Sequence, residues 1–375
     1  MDCLPAHGVT ESLAKRRARK IVVCWTDPSG YSGACWRALQ AIPEHDVHVL
    51  CHSPTRRGVE TSFGEEILRG VSHEFVSADQ MADGRFLAGR VVAQSPDVVF
   101  VAGWMMRSFV RLPTVPELRN AKFVLCMDTP FRNDIRQFFG RYFLASALRR
   151  LSAVFVPGDR AAVYARALGF KPEQIYRGLY AYDEQIFNDR TFTQRAASPA
   201  EWPRRFLYIG RYVHSKGIDT LVAAYRKYRS MVPDPWSLSC AGIGHLSGIM
   251  SQQEGIQDLG FAQPDEQPAI YAAHGAFILP SRYDPWGVVL AEAMGTGLPV
   301  IATNACGAAA DLVRPFVTGL EVPPDSPARL ANAMYWFHTH ADKLREMGEA
   351  AIWHAKPFAA GRWAEKAAAI VADLV

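Results

Sequence analysis

The sequence predicts an α/β protein of two domains, each a parallel sheet covered by helices, facing one another across a cleft. Three observations carry this. The chain has 375 residues, which at roughly 100–200 residues per domain favours two domains, each able to bury its own core. Short apolar runs that stop at polar, Gly or Pro residues alternate with stretches of helical spacing, the pattern of a parallel sheet with helical crossovers. The series then occurs a second time, beyond a polar stretch with weak periodicity.

In chain order, KIVVCW (20–25) is a β-rich run that stops at TDPSGYSG, and ACWRALQAI has helical spacing, so the first unit reads as strand, glycine loop, helix. HDVHVLCH, SPDVVFVAG, AKFVLCM and LSAVFVPG continue the series. YAYDEQIFNDRTFTQRAASPAEWP then carries the interdomain linker, placed at 181–203. RFLYIGRY, SLSCAGIG, GIQDLGF, GAFILPSRYD and LPVIAT form the second series, and RWAEKAAAIVADLV reads as a final helix. The expected organisation is a first domain at 1–180, a second at 204–357 and a terminal helix, 358–375, that packs back on the first domain. Ligands of open α/β sheets bind at the carboxyl ends of the strands, so functional loops should follow strands and meet in the cleft.

Composition excludes other classes. With 49% hydrophobic and 21% charged residues, Gly 28 and Pro 24, the chain is neither disordered nor collagenous. Its seven cysteines, at 3, 24, 35, 51, 126, 240 and 306, are scattered without a Cys-x-x-Cys pair and read as reduced, buried thiols of a cytoplasmic protein. The opening lacks a signal-like apolar region and no apolar run reaches the ~18 residues of a membrane span. Net charge is +4, yet residues 1–180 hold 24 Lys and Arg against 17 Asp and Glu, while the remainder holds 17 against 20. A basic first half can meet an anionic surface or simply be solvated; no nucleic-acid motif accompanies it, and no nucleic acid is expected. Segment 132–150 mixes Arg136, Arg141, Arg149 and Arg150 with Phe138, Phe139, Tyr142 and Phe143, which suits either a membrane interface or an aromatic face buried in the first domain.

Two stretches carry chemistry. FLYIGRYVHSKGIDTLVAAY places Gly210 and Arg211 at a strand end, Lys216 five residues later and Gly217 at a helix entry. Two cations beside a helix N-terminus suit a diphosphate, in the ground state and more so as a leaving group; the alternative is a solvated loop. AFILPSRYDPWGVVLAEAMGTGLPVIAT ends a strand at Pro280, carries Asp284 in a loop, and opens a helix near Gly287 with Glu292 in its second turn. Two carboxylates eight residues apart can accept from the vicinal hydroxyls of a sugar while backbone N–H groups face phosphate; the alternative is a helix cap and a solvated glutamate.

These motifs, with AGIGHL and DLGF between them, resemble family 4 glycosyltransferases of the GT-B fold, two Rossmann-like domains facing a central cleft. The resemblance is carried by the second half and is weaker over 20–180. It implies that Arg211 and Lys216 bind the diphosphate of a nucleotide sugar, that Glu292 holds the ribose, and that Asp284 contacts the hexose in place of the family's first glutamate. Gly210, Pro285, Trp286, Gly287, Val288 and Val289 would complete the donor site, with Arg211, Lys216 and Asp284 as its catalytic members. Gly30 and Gly33, in the loop after the first strand, match where the family brings backbone near the diphosphate. Where many members carry a histidine this chain has Met127 and Asp128, and Asp128 either binds a sugar or caps a turn.

The implied activity is metal-independent transfer of a hexose from a nucleoside diphosphate sugar to a glycan or lipid-linked acceptor, with retention, without a further cofactor, in the cytoplasm or at the inner face of an anionic membrane. Asp284 and Glu292 would act on different halves of one donor, so that loss of Asp284 leaves affinity for the free nucleotide unchanged. No Asp-x-Asp occurs for a metal-bound diphosphate. The alternatives are a non-catalytic nucleotide-sugar-binding protein and a nicotinamide oxidoreductase; Gly242-Ile-Gly244 has two glycines of a dinucleotide fingerprint without the third. His214 and His245 have no metal-ligand spacing.

Overall fold

The computed structural model describes residues 17–53, 65–104, 106–131, 137, 139, 147–197, 202–250, 253–263 and 265–375. The basic aromatic segment read at 132–150 lies largely outside the described residues.

The first sheet contains β1 (Arg19–Cys24), β2 (His45–Cys51), β3 (Ser72–Phe75), β4 (Val98–Ala102), β5 (Lys122–Cys126), β6 (Ala153–Val156) and β7 (Ile175–Arg177), all parallel in the order 3-2-1-4-5-6-7. Its helices are α1 (Gly30–Gln40), α2 (Ala78–Ala82), α3 (Gly84–Gln94), α4 (Arg107–Arg111) and α5 (Asp159–Ala167). After α6 (Asp189–Ala196) comes the second sheet: β8 (Arg205–Ile209), β9 (Ser237–Ala241), β10 (Ile256–Gly260), β11 (Ala276–Leu279), β12 (Val300–Thr303) and β13 (Gly319–Val322), parallel in the order 10-9-8-11-12-13. It is wrapped by α7 (Ile218–Arg229), α8 (Gln267–Ala272), α9 (Val288–Gly295), α10 (Gly307–Leu312), α11 (Pro327–Thr339) and α12 (Leu344–Ala355). In each sheet the first strand is central and the order reverses beside it, between β1 and β4 and between β8 and β11. That reversal opens a crevice at the carboxyl ends of the strands. β6, β11 and β12 are buried at every position, which is why they read as unbroken apolar runs.

The final helix, α13 (Ala360–Leu374), carries apolar residues at helical spacing, and Trp363, Ala364, Ala367, Ile370 and Val371 pack with Ile21, Trp36 and Leu39 of the first sheet and α1. The chain therefore crosses between the sheets twice, and the crossings are tied together. Tyr182 N–H donates to Phe358 O (2.9 Å), Ala360 N–H to Tyr182 O (3.0 Å), and the Glu184 carboxylate accepts from Ala360 and Gly361 N–H (2.9 Å each), capping α13.

Within the stretch read as a polar linker the structure forms α6. Asn188 caps it, and the Arg195 guanidinium, almost fully buried, donates to the carbonyls of Thr296 (3.2 Å), Gly297 (3.0 Å) and Tyr271 (2.8 Å). Burial pulls that guanidinium down to about 9. An arginine that serves as core by satisfying three carbonyls leaves no apolar periodicity to read.

Candidate functional site

The carboxyl ends of both sheets face a cavity of about 680 Å³. On the second sheet β8 runs into Gly210 and Arg211, and a single helical turn at His214–Lys216 follows. Gly217 then opens α7 in the left-handed region (φ 67°), where a Cβ would lie 2.1 Å from the Pro280 carbonyl oxygen. Only glycine allows this approach, and the approach brings the Lys216 turn onto the loop after β11. Ser215 O accepts from Arg282 (2.9 Å) and Tyr283 (3.1 Å) N–H across the same seam.

Arg282 locks the two loops together. Its fork donates to both Asp219 carboxylate oxygens (2.5 and 2.8 Å), to Thr220 Oγ1 (2.9 Å) and to His214 O (2.8 Å), and its Nε to Asp325. In the sequence the only signal for Arg282 is its place in the Ser-Arg-Tyr-Asp run beside Asp284. Lys216 Nζ, held this way, donates to Asp284 Oδ2 at 2.5 Å. The Asp284 side chain is 7% exposed and that of Lys216 20%, so this is a largely desolvated ion pair. Asp284 is therefore coupled to the Lys216 ammonium, and the expectation that its loss leaves nucleotide affinity untouched does not follow from this geometry. Arg211 lies exposed at the cavity wall.

α9 opens on Gly287, also left-handed (φ 91°) and without a side-chain cap. A Cβ there would lie 2.7 Å from Cys306 Sγ. The first N–H groups of α9, from Val288 and Val289, are those a helix leaves without internal partners, and both residues line the cavity together with Pro285 and Trp286. Trp286 is fixed from behind by Nε1 donating to Asp311 Oδ2 (3.0 Å). One turn on, Glu292 is half-buried with its carboxyl in the cavity wall. Burial, aided by the nearby Asp183 carboxylate, pushes it up to about 8. Asp183 is itself raised by burial, against which the Arg37 guanidinium at 2.8 Å acts.

The first sheet contributes Gly30, the first residue of α1, and Asp128, just beyond β5. Tyr180 Oη donates to Asp128 Oδ2 (2.8 Å), and its ring meets Tyr31 edge-on and Trp286 across the cleft. The cavity thus gathers Gly30, Asp128, Gly210, Arg211, Lys216, Asp284, Pro285, Trp286, Gly287, Val288, Val289 and Glu292. Gly33 is the exception and a correction. It lies inside α1, not in the loop, and a Cβ there would meet the Ile67 carbonyl oxygen at 2.1 Å, so helix packing accounts for it. Gly242 and Gly244 have an equivalent reason: a Cβ would lie 2.0 Å from Gly210 O and 2.3 Å from Tyr212 O. Tyr31, Tyr180 and Asp183 were not singled out from sequence, because no local pattern shows which residues face another domain. Among the described residues no three His, Cys, Asp or Glu side chains are grouped as a metal site.

A family model described as glycosyl transferases group 1 matches residues 189–353, which include both cation and carboxylate loops. Glycogen synthase of Mycobacterium tuberculosis is 30% identical over 363 residues, covering 84% of this chain and 85% of that protein. The chain belongs to the group 1 glycosyltransferases. A glycosyltransferase of Methanocaldococcus jannaschii is 26% identical to this one over 171 residues, 43% of either chain. Among solved structures, HepE of Anabaena, determined in complex with UDP, has 17% identity and a TM-score of 0.71 over 94% of this chain and 100% of that one. That likeness shows the GT-B fold for this glycosyltransferase: two parallel-sheet α/β domains with a cleft between them. No described helix is long and apolar enough to cross a membrane.

Proposed function

We propose that this glycosyltransferase is a family 4 type enzyme that moves a hexose, with retention and without a metal, from a nucleoside diphosphate sugar to a hydroxyl of a glycan or lipid-linked acceptor. The observation that carries the reading is the convergence, in one cavity, of Arg211, Lys216, the uncapped N-terminus of α9 and Glu292. Cations and helix N-termini stabilise a diphosphate and favour its departure. A carboxyl one helical turn into α9 suits the ribose hydroxyls, and Asp284 with Trp286–Val289 of the same cavity would meet the hexose. HepE has also been determined with UDP-glucose, and a uridine nucleotide is the first donor to try. In this reading the departing phosphate takes the acceptor proton, so no histidine is required at Met127 or Asp128. Asp128, held by Tyr180, lines the cavity from the first domain, where it would meet the sugar.

The test is a thermal-shift panel of nucleoside diphosphates and their sugars, because a ligand at 100 times its dissociation constant stabilises by about 2.7 kcal/mol. Binding and donor turnover that persist in excess EDTA support the reading. Activity lost on chelation and restored by magnesium or manganese overturns metal independence, and binding without any turnover of the donor supports a non-catalytic sugar-nucleotide receptor.

A further inference from the structure

A second chamber, of about 450 Å³, adjoins the donor cavity and shares Asp284 and Pro285 with it. Its far wall belongs to the first domain, where Phe131, Arg160 and Val163 line it, and its near wall is built by Tyr283, Ala305 and Gly307. That volume is of the size that encloses a sugar ring with a substituent.

The chemistry of the walls is specific. Phe131 is 40% exposed although its ring stacks on Tyr164 at 6.0 Å, so the other ring face is presented outward on a fixed support. Val163 is also exposed. An outward aromatic face beside an aliphatic side chain suits the C–H face of a pyranose. The charges of Arg282 and Asp284 in this chamber are matched, the first by Asp219 and Asp325 and the second by Lys216. Arg160 differs. Its Nη2 donates to a neutral acceptor, the Asn304 carbonyl across the cleft (2.7 Å), which orients the guanidinium; the Asp311 carboxylate, bonded to Trp286 Nε1, feels this charge without a direct ion pair to it, so a direct anionic partner remains open to Arg160.

We infer that this chamber is the acceptor site and that it takes a sugar carrying an anionic group, a phosphate or diphosphate, with the ring on Phe131 and the anion on Arg160. The inference rests on the donor reading above, since Asp284 and Pro285 are the boundary the two chambers share. A phosphate on a free sugar and the diphosphate of a lipid-linked sugar offer the same chemistry, and the test separates them.

Protein saturated with the nucleotide found by the panel is titrated with glucose, galactose and mannose phosphates and with the corresponding methyl glycosides. In a parallel arm it is sedimented with phosphatidylcholine vesicles, plain or carrying a polyprenyl diphosphate-linked hexose. Wild-type protein should bind a phosphorylated sugar roughly 10- to 100-fold more tightly than its neutral glycoside, the range expected of a charge-assisted contact, or should bind the loaded vesicles and not the plain ones. Arg160→Gln keeps a donor for Asn304 O while removing the charge; it should abolish the preference, Arg160→Lys should retain much of it, and Phe131→Ala should weaken charged and neutral sugars alike. Nucleotide affinity should be the same in all three variants. Bound nucleotide with no preference for the phosphorylated form in either arm, or a preference that survives Arg160→Gln, overturns this inference alone. A protein that binds no nucleotide of the panel overturns the donor reading and this inference with it.

Discussion

Asp284→Asn should tighten the bare nucleoside diphosphate while slowing transfer of the sugar. The Lys216 ammonium lies 2.5 Å from the Asp284 carboxylate. A phosphate oxygen accepting from the same ammonium at about 2.8 Å must come within roughly 5 Å of that carboxylate. At this distance a unit repulsion is about 3 kcal/mol at an effective dielectric of 20 and under 1 in bulk water. The site is partly open, and a value near 2 kcal/mol is appropriate. Asparagine still offers an oxygen to Lys216, so the loss of orientation is limited to about 0.5–1 kcal/mol of charge assistance. The net expectation is roughly 1–1.5 kcal/mol in favour of the nucleotide, about 5- to 12-fold in its dissociation constant. Stability should fall by about 1–3 kcal/mol, less than for a fully buried pair because Lys216 retains 20% exposure. Calorimetry with the free nucleotide, a urea titration and donor turnover read the three effects, and a cycle with Lys216→Met isolates the coupling. Nucleotide affinity that is unchanged or weaker in Asp284→Asn, with a coupling below about 0.5 kcal/mol, would refute the argument that this pair sets the charge seen by the diphosphate.

Three further outcomes are expected. Glu292 has a folded-state pKa of about 8, above its ordinary 4.5, so its contribution to stability is complete below pH 4.5 and is lost as pH rises towards 8. Glu292→Gln should then be more stable relative to wild type at pH 9 than at pH 5 in urea titrations; a difference independent of pH would contradict the burial argument. Gly217→Ala forces a Cβ to within 2.1 Å of Pro280 O at a left-handed φ, which should cost more than about 2 kcal/mol and lower nucleotide affinity by displacing Lys216; a denaturation midpoint equal to wild type would count against it. Arg282→Lys cannot reproduce the fork onto Asp219 and Asp325, so it should lower the melting temperature and raise the nucleotide dissociation constant together. A variant that melts earlier with unaltered affinity would show that Arg282 does not position Lys216.

The sequence by itself determined the architecture and pointed to the loops that line the cavity. Strands such as β6, β11 and β12 lie buried on both faces, and that demand writes an unbroken apolar run that can be recognised locally. Cations, carboxylates and glycines then stand out because they follow those runs immediately, as at Arg211, Lys216 and Asp284. The edge strand β3 was not legible: every residue in it is half-buried or exposed, so Ser-His-Glu-Phe offers no apolar signal. Nor was α6, whose buried member is an arginine satisfied by carbonyls from three distant residues. Gly33 shows the converse, a glycine beside a promising loop that the helix uses to approach Ile67. Tertiary structure alone decided the pairings: Lys216 with Asp284, 68 positions away, and Tyr180 with Asp128, 52 away. It also decided the raised pKa of Glu292, which depends on burial and on Asp183. Those are properties of distance and solvent exclusion, and neither exists until loops distant in sequence are brought together at the strand ends of the folded sheets.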